Sequence, residues 1–202
     1  MCHKLDPRFF QELSRMDPRD VCRRTLAEFD RARCVYRVTA LGFPYEVDPA
    51  SCEVNRLSEE APAVTTEWGL VILFYLLRAV EIPVSGKWVS EKDLQGGPMF
   101  FRGPHTFPVK KIATRYADDK TNFEMTARRF LGEPVKMGDA AMKLRVLPRV
   151  PVVIVLWLAD EEFDSSARIL MDSTIERHLP LDVIFGMATT LCDLFCRQKE
   201  AV

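Results

Sequence analysis

Four carboxylates crowd into one turn: Asp160, Glu161, Glu162 and Asp164 follow directly on the apolar run 152–158. Negative charges this close repel unless water, a cation or basic side chains offset them. The turn is therefore solvated, paired with arginine, or a hard-cation site, and the sequence alone leaves all three open. Arg149 and Arg168 flank it and are the natural partners to expect. An EF-type calcium loop is excluded, because the central glycine is missing and the carboxylates have the wrong spacing.

A second candidate is the loop 96–108. Gly96 and Gly97 permit close backbone approach, while Met99, Phe100, Phe101 and Phe107 supply an apolar lining around Arg102 and His105. Such a loop could grip a small planar ligand. The plainer reading is that the aromatics plug one side of the core and the glycines relieve crowding. His105 could carry a proton or hold a ligand, although a lone histidine without an identifiable partner is more often simply packed or solvated.

Cys192 and Cys196 stand four apart and share one face of the helix expected there. A soft-metal site would need further ligands, and Cys2 with His3 at the other end of the chain are the obvious reinforcements. Packed thiols are the simpler reading. Gly86-Lys87 is not a phosphate loop, since Glu81 stands where the first glycine belongs and Trp88 where serine or threonine is required. No dinucleotide fingerprint, nucleophile elbow or zinc-protease helix occurs either.

The elements that must position these residues read as follows. Residues 152–158 are unbroken apolar and mostly β-branched, which predicts an interior strand of a sheet. Residues 142–147 and 167–171 read as its neighbours, and 86–89 as a short strand. Residues 34–57 alternate around turns at Gly42 and at 48–51, which predicts a three-strand meander. The run 68–77 is a core helix, capped by Thr65 or Thr66 and too short to span a membrane. It is expected to be buried nearly all round and to pack on the sheet. Asp17-Pro18 opens an N-terminal helix whose apolar stripe is Val21, Leu26 and Phe29. Residues 109–131 form two helical pieces broken near Asp118-Asp119, and 181–197 the last amphipathic helix. The fold class expected is α+β, a mainly antiparallel sheet with helices packed on it. One globular domain is expected over residues 1–202, with the helices of about residues 8–30 as an extension packed on it.

With 28 basic against 29 acidic residues the formal charge is -1, so the basic excess that nucleic acid demands is missing. Neither a nucleic-acid nor a membrane partner is expected. The N-terminal segment is charged where a secretion signal needs an apolar stretch, which predicts a cytoplasmic protein with free thiols.

The residues Gly86, Lys87, Trp88, Gly96, Gly97, Gly138, Asp139, Leu147, Pro148, Pro151, Trp157, Asp160, Glu161, Glu162, Phe163 and Asp172 carry a resemblance. Together, from about Phe43 onwards, the chain resembles an uncharacterised domain family of anaerobic bacteria and archaea. In some relatives the domain looks joined to a small cysteine-rich iron-sulfur module, which implies work near low-potential redox or corrinoid chemistry. This chain lacks such a module, and no cofactor follows from its residues.

No nucleophile, base and orienting group can be assembled from the sequence. A binding or accessory role, with a protein partner or a small planar ligand, is therefore read ahead of an enzyme. In the enzyme alternative, Asp160, Glu161 or Glu162 would act as acid or base beside a divalent cation, with Lys87, Arg149 or His105 stabilising negative charge. The candidate ligand-binding set is Lys87, Trp88, Gly96, Gly97, Phe101, His105, Arg149, Asp160, Glu161 and Glu162. The loop 96–108 and the turn 160–164 are expected to border one cleft near Lys87 and Trp88.

Overall fold

The computed structural model describes residues 5–197. Asp6 caps α1 (Pro7–Ser14) and Asp17 caps α2 (Pro18–Thr25), each carboxylate accepting from a backbone N–H of the first turn, with proline opening both helices. α2 stops sooner than the apolar stripe predicts. Leu26 takes the left-handed conformation at its end, and Phe29 lies instead in β1 (Glu28–Asp30). There β1 pairs with β2 (Val35–Ala40), and β3 (Phe43–Asp48) and β4 (Glu53–Arg56) complete an antiparallel sheet of order β1-β2-β3-β4. The expected meander is its last three strands.

The second sheet, also antiparallel, has the order β5-β9-β8-β7-β6. Its members are β5 (Trp88–Val89), β6 (Glu133–Pro134), β7 (Ala140–Leu147), β8 (Val150–Trp157) and β9 (Ser166–Asp172). β8 is the middle strand, as an unbroken apolar run requires, because at an open edge it would invite pairing with other chains. The α+β class therefore holds, with two antiparallel sheets among the described residues rather than one.

α3 (Thr66–Arg78), capped by Thr65, buries Trp68, Ile72, Leu73, Tyr75 and Leu76 completely. It was expected to pack on the sheet. Its main partner is instead α7 (Leu181–Cys196), with α1 and α2 on its other sides, because an apolar surface this wide needs helices around it. Phe9 of α1 meets Phe74 edge-on at 4.7 Å. Segment 109–131 does split, into α5 (Lys110–Arg115) and α6 (Lys120–Arg128), where the Asp119 carboxylate accepts from the Asn122 N–H at 2.9 Å. Within the expected loop 96–108, residues Gly97–Phe100 form a single helical turn, α4.

The main core lies between the second sheet and these helices: Met142, Leu144, Val152, Ile154, Leu156 and Ile169 point into it. No helix among the described residues is long and apolar enough to cross a membrane. Cys22, Cys34, Cys52, Cys192 and Cys196 are free thiols. Burial pushes the Cys192 thiol up to about 12, with Cys196 and Asp193 adding to it, so it is an apolar filler. Cys2 and His3 lie outside the described residues.

Candidate functional site

The acidic turn is held by its own backbone. Asp160 Oδ1 accepts from the N–H of Glu162 at 2.9 Å and of Phe163 at 2.7 Å, while the Asp160 N–H donates to the Phe163 carbonyl at 3.0 Å. Glu161, Glu162 and Asp164 are exposed, and none has an ion-pair partner among the described residues. The expected arginine pairing is absent there for topological reasons. Arg149 sits at the β7–β8 hairpin, the opposite end of the sheet, where its guanidinium donates to the carbonyls of Arg24 at 2.7 Å and Ile82 at 3.1 Å. The Arg168 guanidinium lies 5.8 Å from the Trp157 ring centroid. No group of three potential metal ligands converges among the described residues.

Most of the glycine-aromatic loop follows the plainer reading. Phe101 and Phe107 are buried in the main core and meet at 5.0 Å. Gly96 has φ +77, and a Cβ on Gly97 would stand 2.0 Å from the Glu91 carbonyl oxygen, so backbone conformation demands the first glycine and packing the second. Outside them Phe100 stacks on the exposed His105 at 4.8 Å, and His105 meets Phe185 of α7 edge-on at 5.4 Å.

The common cleft does not form. Trp88 pairs with Asp172 at one end of β9, and Trp157 with Ser166, beside the acidic turn, at the other. Six residue steps along β9 separate the two pairings, about 20 Å. The loop 96–108 packs on the helical side of the sheet, while Trp88 belongs to the opposite face. Its start is held near β5, where the Gln95 N–H donates to Glu176 at 2.7 Å; the acidic turn instead touches α5, Ser165 Oγ donating to the Ala113 carbonyl at 3.0 Å.

Two features escaped the sequence reading. The first is a polar knot at the β5 end. Asp172, almost fully buried, accepts from Ser85 N–H and Oγ, Gly86 N–H, and Thr174 N–H and Oγ1, at 2.6 to 3.1 Å. Burial works to raise its pKa, but the hydrogen bonds from Thr174, Ser85 and Gly86 outweigh it and hold the carboxyl below the usual range. Nearby, His178 is buried; its Nδ1 accepts from the Val80 N–H at 3.4 Å and its Nε2 has no partner among the described residues. Burial, with the charge of Arg149, pushes its pKa down to about 4.

The second feature is the far face of the five-stranded sheet. Ala141, Val153 and Val155 form a small buried cluster, flanked by half-buried Trp88, Trp157, Leu170, Val135 and Met137. No helical residue among those described joins it. Arg145, Arg168, Lys136 and Lys87 stand around this strip, exposed, and none forms an ion pair among the described residues. A surface groove of about 520 Å³ runs off its β6 side between Met137, Ala141 and Lys120. Another, of about 610 Å³, lies apart from it between α2 and β1, beside Cys22 and Phe29. Neither groove is lined by a residue of the candidate ligand-binding set, although Gly138 and Asp139 line the first.

Residues 17–194 match the family model described as a domain of unknown function, DUF3786. The chain belongs to this family. No curated protein and no solved structure shows a significant match. The DUF3786 region runs from the cap of α2 almost to the end of α7, so both sheets, the polar knot and the open face all lie within it.

Several residues behind the resemblance have structural duties in this DUF3786 domain. Gly138 has φ +53, and a Cβ there would meet the Leu156 carbonyl at 2.7 Å; Asp139 Oδ2 accepts from the Leu158 N–H at 2.9 Å. Together they tie off the end of β8. Asp172 ties down the other end. Asp172→Ala would leave three backbone N–H groups without their acceptor and is expected to cost about 1–3 kcal/mol. Hydrogen exchange should quicken first at the Ser85, Gly86 and Thr174 amides; unchanged exchange there would show that the knot does not hold β5.

Proposed function

We propose that this DUF3786 domain is a non-catalytic binding module whose working surface is the open face of the five-stranded sheet. The resemblance noted above implies the setting, an accessory role beside low-potential redox or corrinoid chemistry. The observation that carries the reading is the row of half-buried apolar side chains, Trp88, Trp157 and Leu170, that closes over the buried Val153 and Val155 with no helix among the described residues joining it. Apolar surface of this kind is what a partner or a planar ligand covers. Unpaired guanidinium groups at Arg145 and Arg168 favour negative charge on whatever docks.

The carboxylates of the turn speak against acid-base catalysis. Asp160 is committed to its own backbone, and Glu161 and Glu162 stand in solvent with no general acid, base or cation partner converging on them among the described residues.

A planar apolar anion, 1-anilinonaphthalene-8-sulfonate, is a direct probe. At low protein concentration it should bind saturably, and Trp157→Ser or Arg168→Glu should weaken it by about tenfold. Phe29→Ser, in the groove beside α2, serves as the control. Equal dye affinity in wild type and both face variants would overturn the reading.

A further inference from the structure

Between α3 and β5, residues 79–87 join neither a helix nor a sheet, and Glu81 and residues 83–87 are exposed. Few apolar contacts hold such a segment. Side chains from four other places hold it instead. From α2, Arg24 donates to the Ala79 carbonyl at 2.8 Å and Arg23 pairs with Glu81. From the β7–β8 hairpin, Arg149 donates to the Ile82 carbonyl at 3.1 Å. At the end of β9, Asp172 accepts from the N–H groups of Ser85 at 3.1 Å and Gly86 at 2.7 Å. Just before α7, buried His178 accepts from the Val80 N–H at its Nδ1.

The last of these anchors works only for a neutral imidazole. A proton on Nδ1 would face the N–H of Val80, and Nε2 already has no partner among the described residues, so the imidazolium would find an acceptor for neither of its N–H groups. The charges around it do not compensate. Arg149 of the hairpin and Arg177 of its own turn oppose a second cation, while Asp172 favours one but is spent on Ser85, Gly86 and Thr174. Tyr75 of α3, its ring centroid 6.3 Å away, is kept protonated by burial and adds no charge.

We infer that residues 79–87 are an acid-released strap: proton uptake by His178 breaks the Val80 contact, opens this segment ahead of the rest of the fold, and frees the Trp88 end of β5 from β9. β5 has only two residues to hold it, and its first pairs with Asp172 itself. The Ser173 N–H, donating to the Lys87 carbonyl at 2.9 Å, closes the same end. Trp88 borders the open face, so, resting on the reading of that face as a binding surface, the strap governs one of its ends.

Hydrogen exchange of the full chain, followed amide by amide, tests this. The imidazole has a pKa of about 4 when covered and an ordinary 6.5 when wet, so protection of the Val80, Ser85, Gly86 and Ser173 amides should fall about tenfold per pH unit between pH 6 and pH 4.5. Asp172, held below 3.8, stays ionised throughout and contributes nothing in this range. Strap exchange should be faster than that of Ile154 in the middle of β8 and indifferent to low urea, because a local opening exposes little surface. His178→Asn keeps an acceptor for Val80 and should make strap protection independent of pH.

Strap amides whose protection does not change with pH overturn the inference. So do strap amides that exchange only as fast as Ile154, since release would then need global unfolding. A Ser173 amide that does not follow Val80, or a pH dependence that survives in His178→Asn, overturns it too. No ligand enters this measurement, so dye affinity untouched by Trp157→Ser and Arg168→Glu removes the binding face alone.

Discussion

Leu73→Ala is expected to lower the unfolding free energy by about 2 to 5 kcal/mol. Leu73 is fully buried at the middle of α3, which has α7 on one side and α1 and α2 on others. Truncation removes apolar contacts that surrounding helices cannot all close over, so a cavity term adds to the lost transfer free energy. Alanine is a better helix former than leucine, but that gain is a few tenths of a kcal/mol and does not decide the sign. Urea titration at pH 7 should show a lower midpoint with an unchanged slope. A midpoint within error of wild type would mean that α3 is not the centre of the core.

The strength of that expectation follows from how much of α3 was legible. An apolar run of helical length, a threonine cap in front and an arginine at the end give the element, and burial follows from the absence of a polar face. What the run could not say is against what it packs. Its partner, α7, lies over a hundred residues further on, and a helix apolar on most of its surface reads the same against a sheet as against another helix.

β8 shows the same division. Its continuous apolar run marks an interior strand, which it is, but hides that the strand has two different faces. Val152, Ile154 and Leu156 enter the main core, while Val153, Val155 and Trp157 face the open side. Only the register brings Arg168 opposite Val155 and Lys143 opposite Val153, and with them the cationic border of the open face. The acidic turn was legible as a turn and as solvated charge. Its separation from Lys87 and Trp88 was not, because the order β5-β9-β8 places them at opposite ends of one strand. The glycines of the loop were equally ambiguous: a left-handed φ at Gly96 and a carbonyl pressed against Gly97 leave the same mark in a sequence as a ligand would.

The histidine that matters for stability is one that no motif marks. His178 has a pKa of about 4 in the folded protein against an ordinary 6.5, because burial and the charge of Arg149 oppose its protonation more than Asp172 favours it. Above pH 6.5 the imidazole is neutral whether the chain is folded or not, and the native state keeps its full stability. As the pH falls below 6.5 the unfolded chain takes up a proton that the folded protein refuses, so stability is lost progressively down to about pH 4, by about 3 kcal/mol in all. Asp172, whose pKa is lowered, contributes in a different window: its share is present above its ordinary value of 3.8 and disappears only below it. Urea titrations between pH 7 and pH 4.5 should therefore show a steady fall in the midpoint. His178→Asn keeps an acceptor within reach of the Val80 N–H while removing the titrating ring, and should flatten this dependence. A wild type equally stable at pH 7 and 4.5 would mean that the imidazole is charged or solvated in the native state. An unchanged slope in His178→Asn would assign the acid sensitivity to another group.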